Sequence, residues 1–219
     1  MLRYAVLFLF LILPLAISGR ERYNERKNRE VLLMTYELKL PGVVRHLPIC
    51  PVNDSLSIGA FVLFGDVELT EACAAALAER APAHDVMITA ESKGIPLICS
   101  MARILGENRY VLARKGPKLY MRDVIRYEVQ SITTVARQAL YLDGYDAEYM
   151  KGKRVLIVDD VISTGESLNA LRGIVESAGG IVVGQMAVLA EGDAIGREDI
   201  TVLADLPLFN PDGTPKSVG

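Results

Sequence analysis

Two histidines, His46 and His84, in 219 residues are too few to build a His-ligated metal hydrolase. Cysteine is almost as scarce. Cys50, Cys73 and Cys99 are odd in number, far apart and without any CxxC partner, which argues against both a disulfide framework and a structural zinc site. Basic charge is not in excess either: 24 Lys plus Arg stand against 27 Asp plus Glu, a net of −3, so the electrostatic footprint of a dedicated DNA or RNA binder is missing. What the chain does have is apolar residues. At 51% hydrophobic and 23% charged it belongs among globular proteins, long enough for one full core without a staple. Internal repeats and low-complexity segments are lacking, so function has to be sought in a site.

The one long hydrophobic run is at residues 5–17, AVLFLFLILPLAI, followed by the polar RERYNERKNRE at 20–30. Three readings compete. As a signal peptide it offers a small-x-small site, Ala16-Ile17-Ser18, before Gly19. As a membrane span it is shorter than the roughly 20 residues a bilayer needs and is broken by Pro14, so at most it is a weak anchor. Arg20, Arg22, Arg26, Lys27 and Arg29 after the run outweigh Arg3 before it, a bias that keeps the following domain cytoplasmic. The third reading is an over-called start: Arg29-Glu30-Val31 can be encoded AGG GAG GTG, a purine-rich ribosome-binding sequence shortly upstream of Met34. The expected organisation is therefore an extension at 1–33 and one cytoplasmic domain at 34–219, with no membrane role for the domain itself. Without the extension the chain carries 18 basic and 24 acidic residues, a balance of −6.

From Met34 short extended pieces are expected at 35–40, 43–47 and 57–64, separated by Pro41-Gly42, Pro48 and further turns. A helix should follow from Glu68 to about Arg80, with Thr70 placed to cap its start and Cys73 in its core. Next come strand-to-helix units: a strand at 85–89 running into AESKG and a helix through Leu105, and a strand at 154–159 running into DVISTGES and a helix to about Ala178. Further strands are expected at 110–113, 181–189 and 200–206. Near-continuous apolar strands alternating with helices imply an α/β fold with a doubly wound parallel sheet covered on both faces. Such sheets bind ligands at the C-terminal ends of their strands.

The most informative stretch is 155–167, VLIVDDVISTGES. A buried strand delivers Asp159 and Asp160 side by side at its C-terminal end, and adjacent carboxylates accept hydrogen bonds from vicinal hydroxyls such as those of a ribose. The turn that follows exposes backbone amides at a helix N-terminus, and with the hydroxyls of Ser163, Thr164 and Ser167 it suits a phosphate monoester. Gly165 lets the backbone approach the anion closely. Glu166 is expected to point outward, because a carboxylate beside a phosphate repels it. Together these residues describe a ribose 5-phosphate cradle. A response-regulator receiver also ends its first strand in paired acids, but too little chain follows here for that domain.

These residues resemble the 5-phosphoribosyl-1-pyrophosphate (PRPP) signature of type I phosphoribosyltransferases. The resemblance implies that fold, with a small hood, and a second loop for pyrophosphate at Ser92, Lys93 and Gly94, where a non-proline cis peptide would join Ser92 and Lys93. It implies a closing loop over 114–153, in which Arg114, Lys115 and Lys118 neutralise the leaving pyrophosphate, Mg2+ arrives bound to PRPP, and Glu128 stands nearest to the family's catalytic carboxylate. Asp159, Asp160, Ser163, Thr164, Gly165, Glu166 and Ser167 would complete the PRPP site. Adenine phosphoribosyltransferases carry a hood segment similar to Leu40-Pro41-Gly42-Val43-Val44-Arg45, which would set Val43 and Arg45 against the base and leave Phe209 available for stacking. The expected activity is purine salvage, adenine plus PRPP giving AMP and pyrophosphate, in a homodimer. Stretch 128–134, EVQSITT, departs from the adenine pattern. Xanthine, hypoxanthine or guanine as the base therefore stays open, as does a non-catalytic PRPP-sensing regulator, although nothing in the chain looks like a DNA-binding domain. A PRPP synthetase, which shares the fold, needs two domains and a longer chain.

Overall fold

A computed structural model describes residues 34–129 and 138–216. The extension at 1–33 and most of the EVQSITT stretch lie outside the described residues.

Three antiparallel strands come first, β1 (Thr35–Leu40), β2 (Val43–Asn53) and β3 (Leu56–Gly59), in that order. Their alternation sends Leu38, Leu40, Val43, Leu47 and Ile49 inward. The expected break at Pro48 does not occur. β2 runs through it because the ladder uses only the proline's carbonyl, which accepts from Ala60 N at 2.8 Å. The third strand stops at Gly59, short of the expected Phe64, and residues 60–64 continue without strand pairing.

Helix α1 (Val67–Ala78) is capped by Asp66 rather than Thr70. Asp66 Oδ1 accepts from Leu69 N at 3.0 Å, while Thr70 lies inside the helix and donates its hydroxyl to Asp66 O at 2.7 Å. Arg45 grips the same carboxylate from β2, its Nε 2.7 Å from Oδ2, and holds the Asp66 carboxyl down at about 2, with the helix amide of Leu69 helping. A carboxyl lowered in the folded state stabilises above its unfolded pKa and loses that contribution as pH falls toward 2. Asp66→Ala should therefore lower Tm by a few degrees at pH 7, as expected for a lost cap of about 1 kcal/mol. Thermal melts against pH should show the gap closing between pH 4 and 2; a constant gap would contradict the assignment.

The remaining elements are β4 (Val86–Ala90), α2 (Ile95–Leu105), β5 (Val111–Ala113), β6 (Ile125–Val129), β7 (Gln138–Leu142), α3 (Gly144–Met150), β8 (Arg154–Ile162), α4 (Glu166–Ser177), β9 (Ile181–Glu191) and β10 (Thr201–Leu206). Five of them form the parallel sheet, in the order β10-β9-β8-β4-β5. Its strands are apolar on both faces because both are covered. Met87, Leu156, Val158, Met186 and Val188 pack with α1, α2 and the hood, whereas Val86, Ile88, Val155, Ile157 and Ala187 pack with α3 and α4. Each such side chain is fully buried, and each one larger than alanine is worth about 1.5–3 kcal/mol.

Within 114–153, expected to be one closing loop, the described residues form regular elements. β6 and β7 pair antiparallel, and α3, capped by Asp143 through Tyr145 N at 2.9 Å, buries Ala147 and Met150 beside Leu140 and Leu142. The polar, tyrosine-rich composition hid these few inward residues. Among the described residues no helix is long and apolar enough to cross a membrane.

Candidate active site

β8 carries its buried run past the expected end at Asp159 because β9 stays paired with it as far as Ile162↔Ala190. Asp159 and Asp160 therefore sit within the last turns of strand backbone, 9% and 4% exposed, rather than on a free loop. Asp159 Oδ1 accepts from Asp160 N at 2.9 Å, and Lys93 Nζ reaches Asp160 Oδ2 at 2.9 Å. Burial, with the neighbouring Asp160 charge second, pushes the Asp159 carboxyl up to about 7. Two carboxylates kept together out of water are costly to the fold, which is what a site awaiting hydroxyl donors should show.

Two turns flank the pair. On the β4 side, residues 91–94 lead into α2, whose N-cap is Gly94. The cis peptide bond joins Glu91 and Ser92, one place earlier than expected from the family resemblance. Gly94 passes so close to β8 that a Cβ there would lie 3.4 Å from Asp159 Oδ1 and collide with Thr89 Oγ1. On the other side, Ser163, Thr164, Gly165 and Ser167 enclose a small hollow of about 30 Å³ together with Asp159 and Val161. Gly165 heads α4 with φ +80°, a conformation that suits glycine, and the Arg197 guanidinium packs over it. Glu166, first residue of α4, is not among the side chains lining either cavity.

Ser92, Lys93, Lys115, Asp159, Asp160, Ser163 and Ser167 line one cavity of about 490 Å³. Arg114 and Lys118 stand at its edge, 3.6 and 3.8 Å from Glu91, whose other oxygen accepts from Lys115 N at 3.1 Å. Glu91 thus gathers the three basic residues singled out in the sequence, a role its place inside the AESKG turn did not reveal.

The residues expected to face a base lie elsewhere. Val43 is buried in the core, and Arg45 is committed to Asp66 and Glu68, so neither lines the cavity. Phe209 is fully buried edge-on against Tyr36 and is not free to stack. The tail does complete the hood through its backbone, Phe209 and Ser57 exchanging two hydrogen bonds of 2.9 Å. In place of Val43 and Arg45, residues 58–62, Val161, Leu206 and Glu191 form the wall. Glu191 was missed because the strand was read as ending at Leu189; two more residues would have put a carboxylate at a strand's C-terminal end. Glu128 lies on β6, hydrogen-bonded to Arg126, outside the cavity.

A doubly wound sheet with paired carboxylates between two anion-binding turns defines α/β proteins that hold a phosphorylated ligand at the strand ends. The chain belongs to the phosphoribosyl transferase domain family, whose model matches residues 68–204. It is 32% identical over 148 residues to an adenine phosphoribosyltransferase of Mycobacterium tuberculosis, covering 68% of this chain and 66% of that one. Over 116 residues it is 34% identical to a hypoxanthine/guanine phosphoribosyltransferase of Methanothermococcus okinawensis, covering 53% and 58% respectively. The chain thus spans about three fifths of the length of the curated relatives it matches. Among solved structures, an adenine phosphoribosyltransferase of Thermoanaerobacter pseudethanolicus superposes with TM-score 0.58 at 25% identity, covering 81% of this chain and 98% of that one.

Proposed function

We propose that this chain transfers the 5-phosphoribosyl group of PRPP to a purine, adenine first, giving AMP and pyrophosphate with inversion at the anomeric carbon. One observation carries the reading: Asp159 and Asp160 lie in a single cavity between the turn at 92–94 and the turn at 163–167. The carboxylates would accept from the two ribose hydroxyls, the amides and hydroxyls of Ser163, Thr164, Gly165 and Ser167 would hold the 5-phosphate, and Ser92, Lys93 and Gly94 the pyrophosphate. As the bond to pyrophosphate lengthens, positive charge develops on the ribose ring beside Asp159 and Asp160, while Lys93, Lys115, Arg114 and Lys118 receive the negative charge that leaves. No covalent nucleophile is needed.

Among the described residues no three His, Cys, Asp or Glu side chains are gathered to hold a metal ion. The carboxylates and open phosphate sites do fit an ion carried by the ligand's own oxygens, and Mg2+ bound that way would stabilise the leaving pyrophosphate. Water would trap an oxocarbenium-like centre, so the site needs covering; Glu128 would meet the base only if the β6–β7 hairpin moved over the cavity. We place the enzyme in the cytoplasm as a homodimer, as the resemblance implies.

Incubating protein that starts at Met34 with Mg2+, PRPP and adenine, hypoxanthine, guanine, xanthine or uracil, and separating the nucleotides, tests this. Conversion of a purine is the expected result. Tight PRPP binding without any product would favour a PRPP-sensing regulator, and no PRPP binding would overturn the assigned cradle. Hypoxanthine or guanine is the second choice of base, favoured by the relative from Methanothermococcus okinawensis.

A further inference from the structure

Relatives of about equal identity divide between adenine and hypoxanthine/guanine enzymes, so overall similarity does not choose the base. A side chain in the cavity must. The strand order fixes where to look: β4, with the pyrophosphate turn, lies on one side of β8, and β9 and β10 lie on the other. Because an inverting transfer brings the base to the face opposite the departing pyrophosphate, the purine belongs on the β9 side of Asp159 and Asp160. There the wall is Ile58, Ala60, Phe61, Val62, Val161 and Leu206, and the one ionisable side chain among these lining residues is Glu191. It ends β9 beside Leu206 of β10, is half-buried, and its carboxyl makes no hydrogen bond or ion pair with the described residues. An apolar wall with one uncommitted carboxyl is a site built to read hydrogen-bonding edges.

We propose that Glu191 selects the base: as a carboxylate it accepts from the paired N1–H and N2–H of guanine, and as a carboxylic acid it donates to N1 and accepts from N6–H of adenine. This inference rests on the transfer reaction proposed above and assigns its base-reading residue. At N1 guanine presents a donor and adenine an acceptor, so a single proton on Glu191 favours one base over the other; N2 and N6 flank N1 on opposite sides, and the base seats with a small shift between the two pairings. The charged groups facing it are Lys93 from the pyrophosphate turn and Asp159 and Asp160 from β8; Glu91 and Lys115 lie across the cavity, Asp205 of β10 is exposed, and residues 58–62 bring no charge. Burial raises the Glu191 carboxyl above its ordinary range, and the Lys93 charge opposes that rise.

The measurement is the ratio of kcat/KM for guanine to that for adenine between pH 5 and 8. Groups acting on PRPP alike for both bases cancel in the ratio, which leaves the groups that touch the base. The ratio should climb with pH, by up to about tenfold per unit while Glu191 is losing its proton, then level off. Glu191→Gln fixes a donor and an acceptor permanently. That variant should keep adenine and show a flat ratio. A flat ratio in the wild type, or an unchanged climb in Glu191→Gln, overturns the assignment to Glu191 while leaving the transfer reaction standing. Failure of the wild type to convert either base at any pH overturns the transfer reaction itself.

Discussion

Replacing both carboxylates, Asp159→Asn with Asp160→Asn, should destroy activity while making the unliganded protein more stable. Each hydrogen bond from a ribose hydroxyl to a charged acceptor is worth about 1.5–3 kcal/mol, so losing the charge from two of them predicts a fall in kcat/KM of about 10²- to 10⁴-fold. The stability gain follows from burial. Asp159 has a pKa raised to about 7 in the folded protein, above its unfolded value, so the folded state holds a proton that the unfolded chain releases. Stability therefore declines as pH rises from about 4 to 7 and is flat above, at a cost on the order of a few kcal/mol near neutrality. The asparagine variant lacks that cost, and its lost ion pair to Lys93 involves a side chain that is 51% exposed and can return to water. Melts of the unliganded proteins should coincide near pH 4 and separate, with the variant higher, by pH 7. Reduced stability at pH 7 would mean that the pair holds the fold together rather than awaiting ligand, and retained PRPP affinity would remove it from the ribose site.

How much of this could be read from the sequence depended on how local the determining chemistry is. The run VLIVDDVISTGES specifies its own strand, carboxylate pair and turn within thirteen residues, and the structure brings Asp159, Asp160, Ser163 and Ser167 to one cavity with Ser92 and Lys93. The doubly wound sheet was legible for the same reason, since strands buried on both faces are apolar throughout. The hood was not. Whether Arg45 faces a base or pairs with a helix cap depends on where Asp66 and Glu68 arrive, 21 and 23 residues later and from another element, and no spacing within β2 carries that information. Phe209 posed the same difficulty: a hydrophobic ring near the C-terminus stacks on a ligand or fills the core according to the place of Tyr36, at the other end of the domain. Asp66 as the cap was recoverable, because it precedes the helix directly while Thr70 needed a later start. Glu191 was recoverable too, from the rule that strand C-termini face the crevice, had the strand been carried to its end.

Gly94→Ala should be among the most damaging single-methyl changes in the molecule, and a second substitution should repair it. The N-terminus of α2 sits so close to β4 that the added methyl collides with Thr89 Oγ1, while Asp159 Oδ1 and Asp159 Cα of β8 lie at contact distances of 3.4 and 3.5 Å. Backbone conformation is not the obstacle, since Gly94 has φ −72°, within reach of alanine. Space is, and overpacking of this kind costs about 1–3 kcal/mol. Thr89 is fully buried in β4, and its hydroxyl has no hydrogen-bond partner among the described residues, so Thr89→Ala removes the obstructing atom without leaving a partner unsatisfied. The double variant Gly94→Ala/Thr89→Ala should regain most of the lost stability, giving a coupling of at least about 1 kcal/mol in a double-mutant cycle of denaturant midpoints. Activity should follow stability. Once Thr89 Oγ1 is gone the methyl rests at contact distance from Asp159, so the double variant should regain kcat/KM for PRPP together with its fold. A double variant of restored stability whose kcat/KM stays depressed would show that the reaction depends on the spacing between the turn at 91–94 and Asp159 more finely than packing does.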